Sequence, residues 1–164
     1  MIKTKRYENT FRVFVINSNL YNMSMKWIKG RTTIREFPRT SSTTFTKNSL
    51  VYFVSGLIAP ADATAGDIAG ICIEDVASTD SDFATAAVPI KVEVAMDRQC
   101  VLEADVTGTL VTTSVGVTYD LSTALVVDQA ASSKDVVTCV KFISATKGQF
   151  VLNSTFDVFR TATS

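Results

Sequence analysis

From about residue 45 onward, apolar and polar positions alternate with a period of two. Ile90, Val92, Val94 and Met96 alternate with Lys91, Glu93 and Ala95, and Val136, Thr138, Val140 and Phe142 alternate with Val137, Cys139 and Lys141. A period of two sends successive side chains to opposite faces, so each run predicts a strand with one face on a core. The sets beginning at Ile90 and at Val136 are the expected core faces. The strand candidates are 45–54, 69–74, 88–95, 100–105, 110–115, 117–121, 124–128, 135–144 and 149–159. Turn formers separate them: Asn48-Ser49, Ser55-Gly56, Asp80-Ser81-Asp82, Asp97-Arg98, Thr107-Gly108, Gly116, Ser132-Ser133 and Lys147-Gly148. Short strands with close turns predict an all-β fold, a small barrel or sandwich of mostly antiparallel strands. The organising stretch is 49–76, read as strand, turn, extended linker and strand. Its small-residue segment 59–70, APADATAGDIAG, is expected to be a surface loop. No repeat of fixed period emerges.

Ahead of residue 45 the pattern changes. Residues 1–9 are polar and basic. Residues 10–16, TFRVFVI, form a strand candidate with apolar residues on both faces, which suits a strand added to another sheet's edge. Residues 18–29 are the one helix candidate: Ser18 can cap it, Leu20, Met23, Trp27 and Ile28 share a side, and Lys26 and Lys29 lie near its end. Residues 30–44 read as a linker with a short strand around Ile34. The expected division is therefore a basic N-terminal arm, 1–42, carrying a short helix, and a β-domain, 43–164.

Charge sharpens that division. Net charge is zero, yet residues 1–50 hold ten Lys/Arg against Glu8 and Glu36, while residues 51–164 hold six against fourteen Asp/Glu. Such a split predicts that the first part meets something acidic. The residues expected to touch a partner are Phe14 and Trp27, as apolar anchors, and the cations Lys26, Lys29, Arg31, Arg35 and Arg39. Basic residues interleaved with Trp27 and Phe37 can also grip phosphate and stack bases, but no nucleic-acid fold signature accompanies them, so nucleic acid is not the expected partner.

The chemistry of catalysis is thin. No histidine is present, which excludes Ser-His-Asp, Cys-His and H-E-x-x-H sites. Ser144-Ala-Thr-Lys147 matches S-x-x-K without its companion motifs. Glu74, Asp75, Asp80 and Asp82 crowd together, but Asp80-Ser-Asp82 lacks the glycine and closing glutamate of a calcium loop. Cys72, Cys100 and Cys139 are widely spaced within apolar runs, as reduced core thiols of a cytoplasmic product are, and no C-x-x-C pair supports a metal site. The basic start Lys3, Lys5 and Arg6 runs into Tyr-Glu-Asn-Thr, which predicts no secretory leader. No apolar run approaches the ~20 residues of a membrane span. The expectation is a non-enzyme with neither metal nor cofactor.

Two passages carry a family resemblance. NSLVYFVSGLIAPADATAGDIAGICIEDV resembles the opening of the small capsid decoration (cement) proteins of tailed phages, in which a strand, a glycine turn, a linker and an (I/V)-x-G-(I/V) passage begin a compact β-domain. VPIKVEVAMDRQCVLEADVTGTLVTTSVGVTYDLSTALVVD is similar to their later part, through an Ala-Asp…Gly turn and then Gly116, Tyr119, Asp120 and Leu121. The likeness covers about residues 45–155. It implies a β-barrel or β-tulip domain, a homo-trimer, a major capsid protein as partner, and a place on the outer capsid surface of a virion after synthesis in the host cytoplasm. It carries over no catalytic residue. The alternatives weighed beside it are a tail, neck or head-fibre component and a carbohydrate-binding β-module.

Overall fold

The computed structural model describes residues 24–97 and 99–153. Its strands are β1 (Lys26–Lys29), β2 (Thr32–Pro38), β3 (Leu50–Val54), β4 (Leu57–Pro60), β5 (Ile68–Cys72), β6 (Pro89–Ala95), β7 (Val101–Thr107), β8 (Thr118–Thr123), β9 (Val126–Asp128), β10 (Val137–Ser144) and β11 (Lys147–Leu152). A single 3₁₀ turn, Thr112–Ser114, lies between β7 and β8. The fold is all-β, as the alternation predicts. No helix among the described residues is long and apolar enough to cross a membrane.

The strands form two units of five. In the second, β7, β11, β10, β8 and β9 pair in that order, and β9 returns parallel to β7 to close a barrel. In the first, the order is β2, β6, β5, β3, β4, and its end strands meet at a parallel bridge from Arg39 to Ile58. Both units thus run first–fifth–fourth–second–third, with a parallel contact from third to first. Their spacing agrees too: Thr32, Leu50, Leu57 and Ile68 open the first four strands of one unit, and Val101, Thr118, Val126 and Val137 those of the other. The offsets are 69, 68, 69 and 69 residues. The fifth strands break step because residues 73–88 make an excursion between β5 and β6, whereas β10 and β11 join through Ala145-Thr146. The chain is a tandem repeat of topology.

The equivalence reaches single hydrogen bonds. Ser114, Val115, Gly116 and Val117 form a type II turn: Val115 has φ −66° and ψ 129°, Gly116 has φ +87°, and the Val117 N–H donates to the Ser114 carbonyl at 3.2 Å. The Gly116 N–H donates to the Cys139 carbonyl at 2.8 Å, and the Cys139 N–H donates to the Val117 carbonyl at 3.0 Å. Two residues therefore face one, which is a bulge with glycine in the left-handed position. The first unit repeats it with Asn48 (φ 63°) and Ser49 facing Cys72, and the Ser49 N–H on the Thr46 carbonyl at 3.2 Å. Asparagine is among the few residues besides glycine that tolerate this conformation.

Two cores result. One holds Leu102, Ala104, Leu121, Val127, Val137, Cys139 and Phe150 of the barrel, with Met25, Leu50, Ile68 and Ile71 added from outside it. The other holds Phe45, Val51, Ile58, Ala69, Cys72, Ile90, Val92 and Val94. Every residue of β5 is buried, with Ile68 and Ile71 facing the first core and Ala69 and Cys72 the second. This strand is the shared wall, and it lies inside the stretch that organises the sequence.

Several expectations need correction. Within 18–29 the described part is not helical: Met25 is fully buried and Trp27 half-buried while Lys26 and Ile28 face out, a period of two that ends in β1. Residues 18–23 lie outside the described residues, as do 10–16. The division near residue 43 also moves. β1 pairs with β7 and β2 with β6 over its whole length, so the folded body includes residues 25–42. The segment 59–70 is a surface loop only at its centre: Asp62, Ala63, Thr64, Gly66 and Asp67 are exposed, while Ala61 and Ala65 are buried and the two ends belong to β4 and β5. Residues 110–115 are the 3₁₀ turn and its flanks, not a strand. On β10 it is Val137 and Cys139 that point inward, and Val140 is exposed.

Candidate interaction surfaces

The seven residues expected to bind a partner separate into groups. Phe14 lies outside the described residues. Arg39 is buried, 1 % exposed. It pairs with Asp82 at 3.1 Å and donates to the carbonyls of Asp82 at 2.9 Å and Phe83 at 3.4 Å. It pins the 73–88 excursion to the end of β2, so its role is structural. Trp27 is half-buried against the barrel core, and its indole N–H donates to the Glu93 carbonyl at 3.3 Å. It joins the units instead of presenting itself as an anchor. Lys26 belongs to a ladder across β1, β7 and β11: Lys26 to Glu103 at 3.4 Å, Lys147 to Glu103 at 3.9 Å and Lys147 to Asp105 at 3.3 Å. Lys29 and Arg31 remain exposed where the chain crosses from β1 to β2, and Arg35 is exposed in the middle of β2. Gly30 makes the crossing: at φ +99°, an added Cβ would lie 2.5 Å from the Cys100 Cα.

The second surface surrounds the 3₁₀ turn and was not expected. Val111, Val115, Val117 and Val140 are 50 %, 48 %, 43 % and 40 % exposed. They sit on the type II turn, on its flank, and beside the Cys139 that faces its bulge. An open cavity of about 360 Å³ adjoins two of them, Val111 and Val117, and is lined also by Thr113 and Tyr119 and by residues 129–132. The sequence signal was present in LVTTSVGV, where apolar residues flank a turn glycine, but it reads equally as a strand.

The wall of that cavity is held by Asp120, which is 2 % exposed. One carboxylate oxygen accepts the Ser133 N–H and hydroxyl at 2.8 and 2.9 Å; the other accepts the Lys134 and Asp135 N–H groups at 2.8 Å each. Burial alone would raise its pKa, but the hydrogen bonds from Lys134, Ser133 and Asp135 outweigh it and hold the carboxyl below its ordinary value. Asp120 is thus a clamp on the 129–135 loop, not an acid poised for proton transfer.

The three cysteines are free and buried. Burial pushes Cys72 up to about 11, and it raises Cys100 and Cys139 as well. Thiols so held are poor nucleophiles. Of the acidic cluster, Asp82 is spent on Arg39, Asp80 accepts the Ala77 N–H at 2.8 Å and Glu74 pairs with Lys91 at 2.9 Å. No group of three or more potential metal ligands occurs among the described residues. No protein-family model matches this chain, and no curated protein matches it.

Proposed function

We propose that this chain is a virion structural protein that binds the outer capsid surface of a tailed phage and stabilises contacts between major capsid subunits. The observation that carries the reading is the valine surface. The two units build the same turn, but the first places the charged Lys47 where the second places Val115. The turn needs no apolar residue there, so the valines answer to something outside it. Four half-exposed valines, two of them lining an open cavity, suit the apolar centre of a protein–protein interface. The resemblance over residues 45–155 supplies the partner, the major capsid protein.

The cationic grip moves in this reading from a free arm to the body. Lys29, Arg31 and Arg35 lie at the rim of the folded unit, where charge speeds encounter with an acidic shell. Each site supplies an ordinary interface, roughly 1,200–2,000 Å² in total, and symmetry multiplies it.

Co-sedimentation tests the reading: purified chain is mixed with empty shells of a tailed-phage major capsid protein from the same source. Saturable pelleting with shells, lost on Val115→Lys, supports decoration. Pelleting with isolated tails but not with shells replaces it with the tail reading, and pelleting with neither overturns it.

A further inference from the structure

The repeat exposes a vacancy in strand pairing. In the second unit, the first half of β7 carries an added antiparallel strand, β1, with Lys26 opposite Glu103 and Trp27 opposite Leu102. In the first unit, the equivalent stretch is the first half of β2, a strand of the same seven-residue length as β7. β2 pairs with β6 on one side; on the other, β4 approaches its C-terminal end at the Arg39 bridge to Ile58, and no described strand pairs with its first half. In the middle of that edge stands Ile34, 58 % exposed, beside exposed Arg35 and Glu36.

The backbone is aimed correctly. The Arg39 N–H donates to the Val88 carbonyl and the Arg31 carbonyl accepts the Met96 N–H, so the odd-numbered residues turn their groups toward β6. Thr40, an even-numbered residue, donates the other way, to Ile58. By the alternation of an antiparallel ladder, Thr32, Ile34 and Glu36 direct both N–H and C=O outward. Three successive outward residues are a template for another strand.

We propose that β2 pairs antiparallel with β2 of a second copy about a two-fold axis at Ile34, joining the two five-strand sheets into one. A two-fold axis restricts the register, because opposed residues must share a face. Centring on Arg35 sets Arg35 against Arg35, and centring on Glu36 sets Glu36 against Glu36 and wastes an outward position on Pro38, which has no N–H. Centring on Ile34 opposes Ile34 with Ile34, Thr33 with Arg35 and Thr32 with Glu36. Like charges are then never opposed, and all three outward residues are paired. The charges and Pro38 that protect an edge from random pairing here select one register. The pairing rests on the fold alone and is independent of the decoration reading. It differs from the three-fold association which the resemblance implies.

The full chain is tested by light scattering over a concentration series and by cross-linking. The expected result is a concentration-dependent dimer. Ile34→Lys opposes two like charges, raising the dissociation constant by about tenfold or more with an unchanged melting temperature. Mild oxidation of Ile34→Cys gives a disulfide-linked dimer, since opposed Cα atoms in a hydrogen-bonded pair lie about 5.5 Å apart, within disulfide reach. The native thiols are buried and do not compete. Arg35→Cys does not cross-link. A monomer at every concentration, a trimer indifferent to Ile34→Lys, cross-linking at Arg35→Cys only, or none at Ile34→Cys because another segment covers the edge, each overturns the proposal.

Discussion

At the scale of single residues, buried charge does the structural work in this protein. Asp120 gathers four donors from Ser133, Lys134 and Asp135. Asp120→Ala leaves three backbone N–H groups facing an apolar gap and is expected to cost on the order of 3 kcal/mol, read by urea denaturation. The pH dependence follows from the lowered pKa of this carboxyl. Its contribution to stability is fully present above the unfolded-state value near 4 and is lost as pH falls through the lower folded value. Acid unfolding of the wild type is therefore expected below about pH 4, and Asp120→Asn should flatten that limb of the stability curve. Arg39 makes the converse case. Arg39→Ala takes the donor from the Asp82 and Phe83 carbonyls and frees the 73–88 excursion, with an expected loss of roughly 2 kcal/mol. Alanine at Lys29, Arg31 or Arg35 should change the melting temperature little, because these exposed side chains make no ion pair among the described residues.

At the scale of elements, the repeated turn is the informative comparison. Val115→Lys gives the second unit's turn the residue of the first. Thermal unfolding should shift by no more than about 0.5 kcal/mol in equivalent stability, while binding to shells is lost. Gly116→Val acts oppositely: a β-branched residue at φ +87° is strained, so the bulge and the valine surface are disrupted together. Much of this layer was legible. Period-two alternation located β3, β5, β6, β7, β8, β9, β10 and β11, although the 45–54 candidate starts five residues before β3 and the end of the 149–159 candidate lies outside the described residues. What escaped has physical causes. β1 is four residues long and its Lys-Trp-Ile-Lys fits a helix face as well as a strand. β4 ends in Ala59 and Pro60, poor strand formers, and is held by pairing with β3. The repeat left almost no trace in residue identity, because equivalent positions share only polarity and backbone conformation, as Asn48 and Gly116 do. The partner-binding cations were chosen by charge and spacing, and these cannot tell an exposed Arg35 from an Arg39 closed over by a distant excursion. Asp120 was noted as part of a motif, but its donors lie thirteen to fifteen residues away and local pattern does not reveal them.

At the scale of the whole molecule, two like units are welded through one buried strand, β5, and tied again by Trp27. A body so joined is expected to unfold as one cooperative unit, so probes of the two cores should give coincident transitions. Such a body offers rigid, separated surfaces: valines at the 3₁₀ turn, cations at the β1–β2 crossing and an open edge on β2. Its encounter with an acidic shell should weaken as salt rises, through the association rate more than the dissociation rate. In the function proposed above, the valine turn and the exposed cations seat the protein between capsid subunits. Electron cryomicroscopy of otherwise identical virions, with and without the chain, tests it most directly. Added density matching the barrel and its attached five-stranded sheet is expected on the outside of the shell at every symmetry-equivalent position, with the valine turn against the capsid. Shells with identical outer surfaces, or added density confined to the tail or neck, would contradict it.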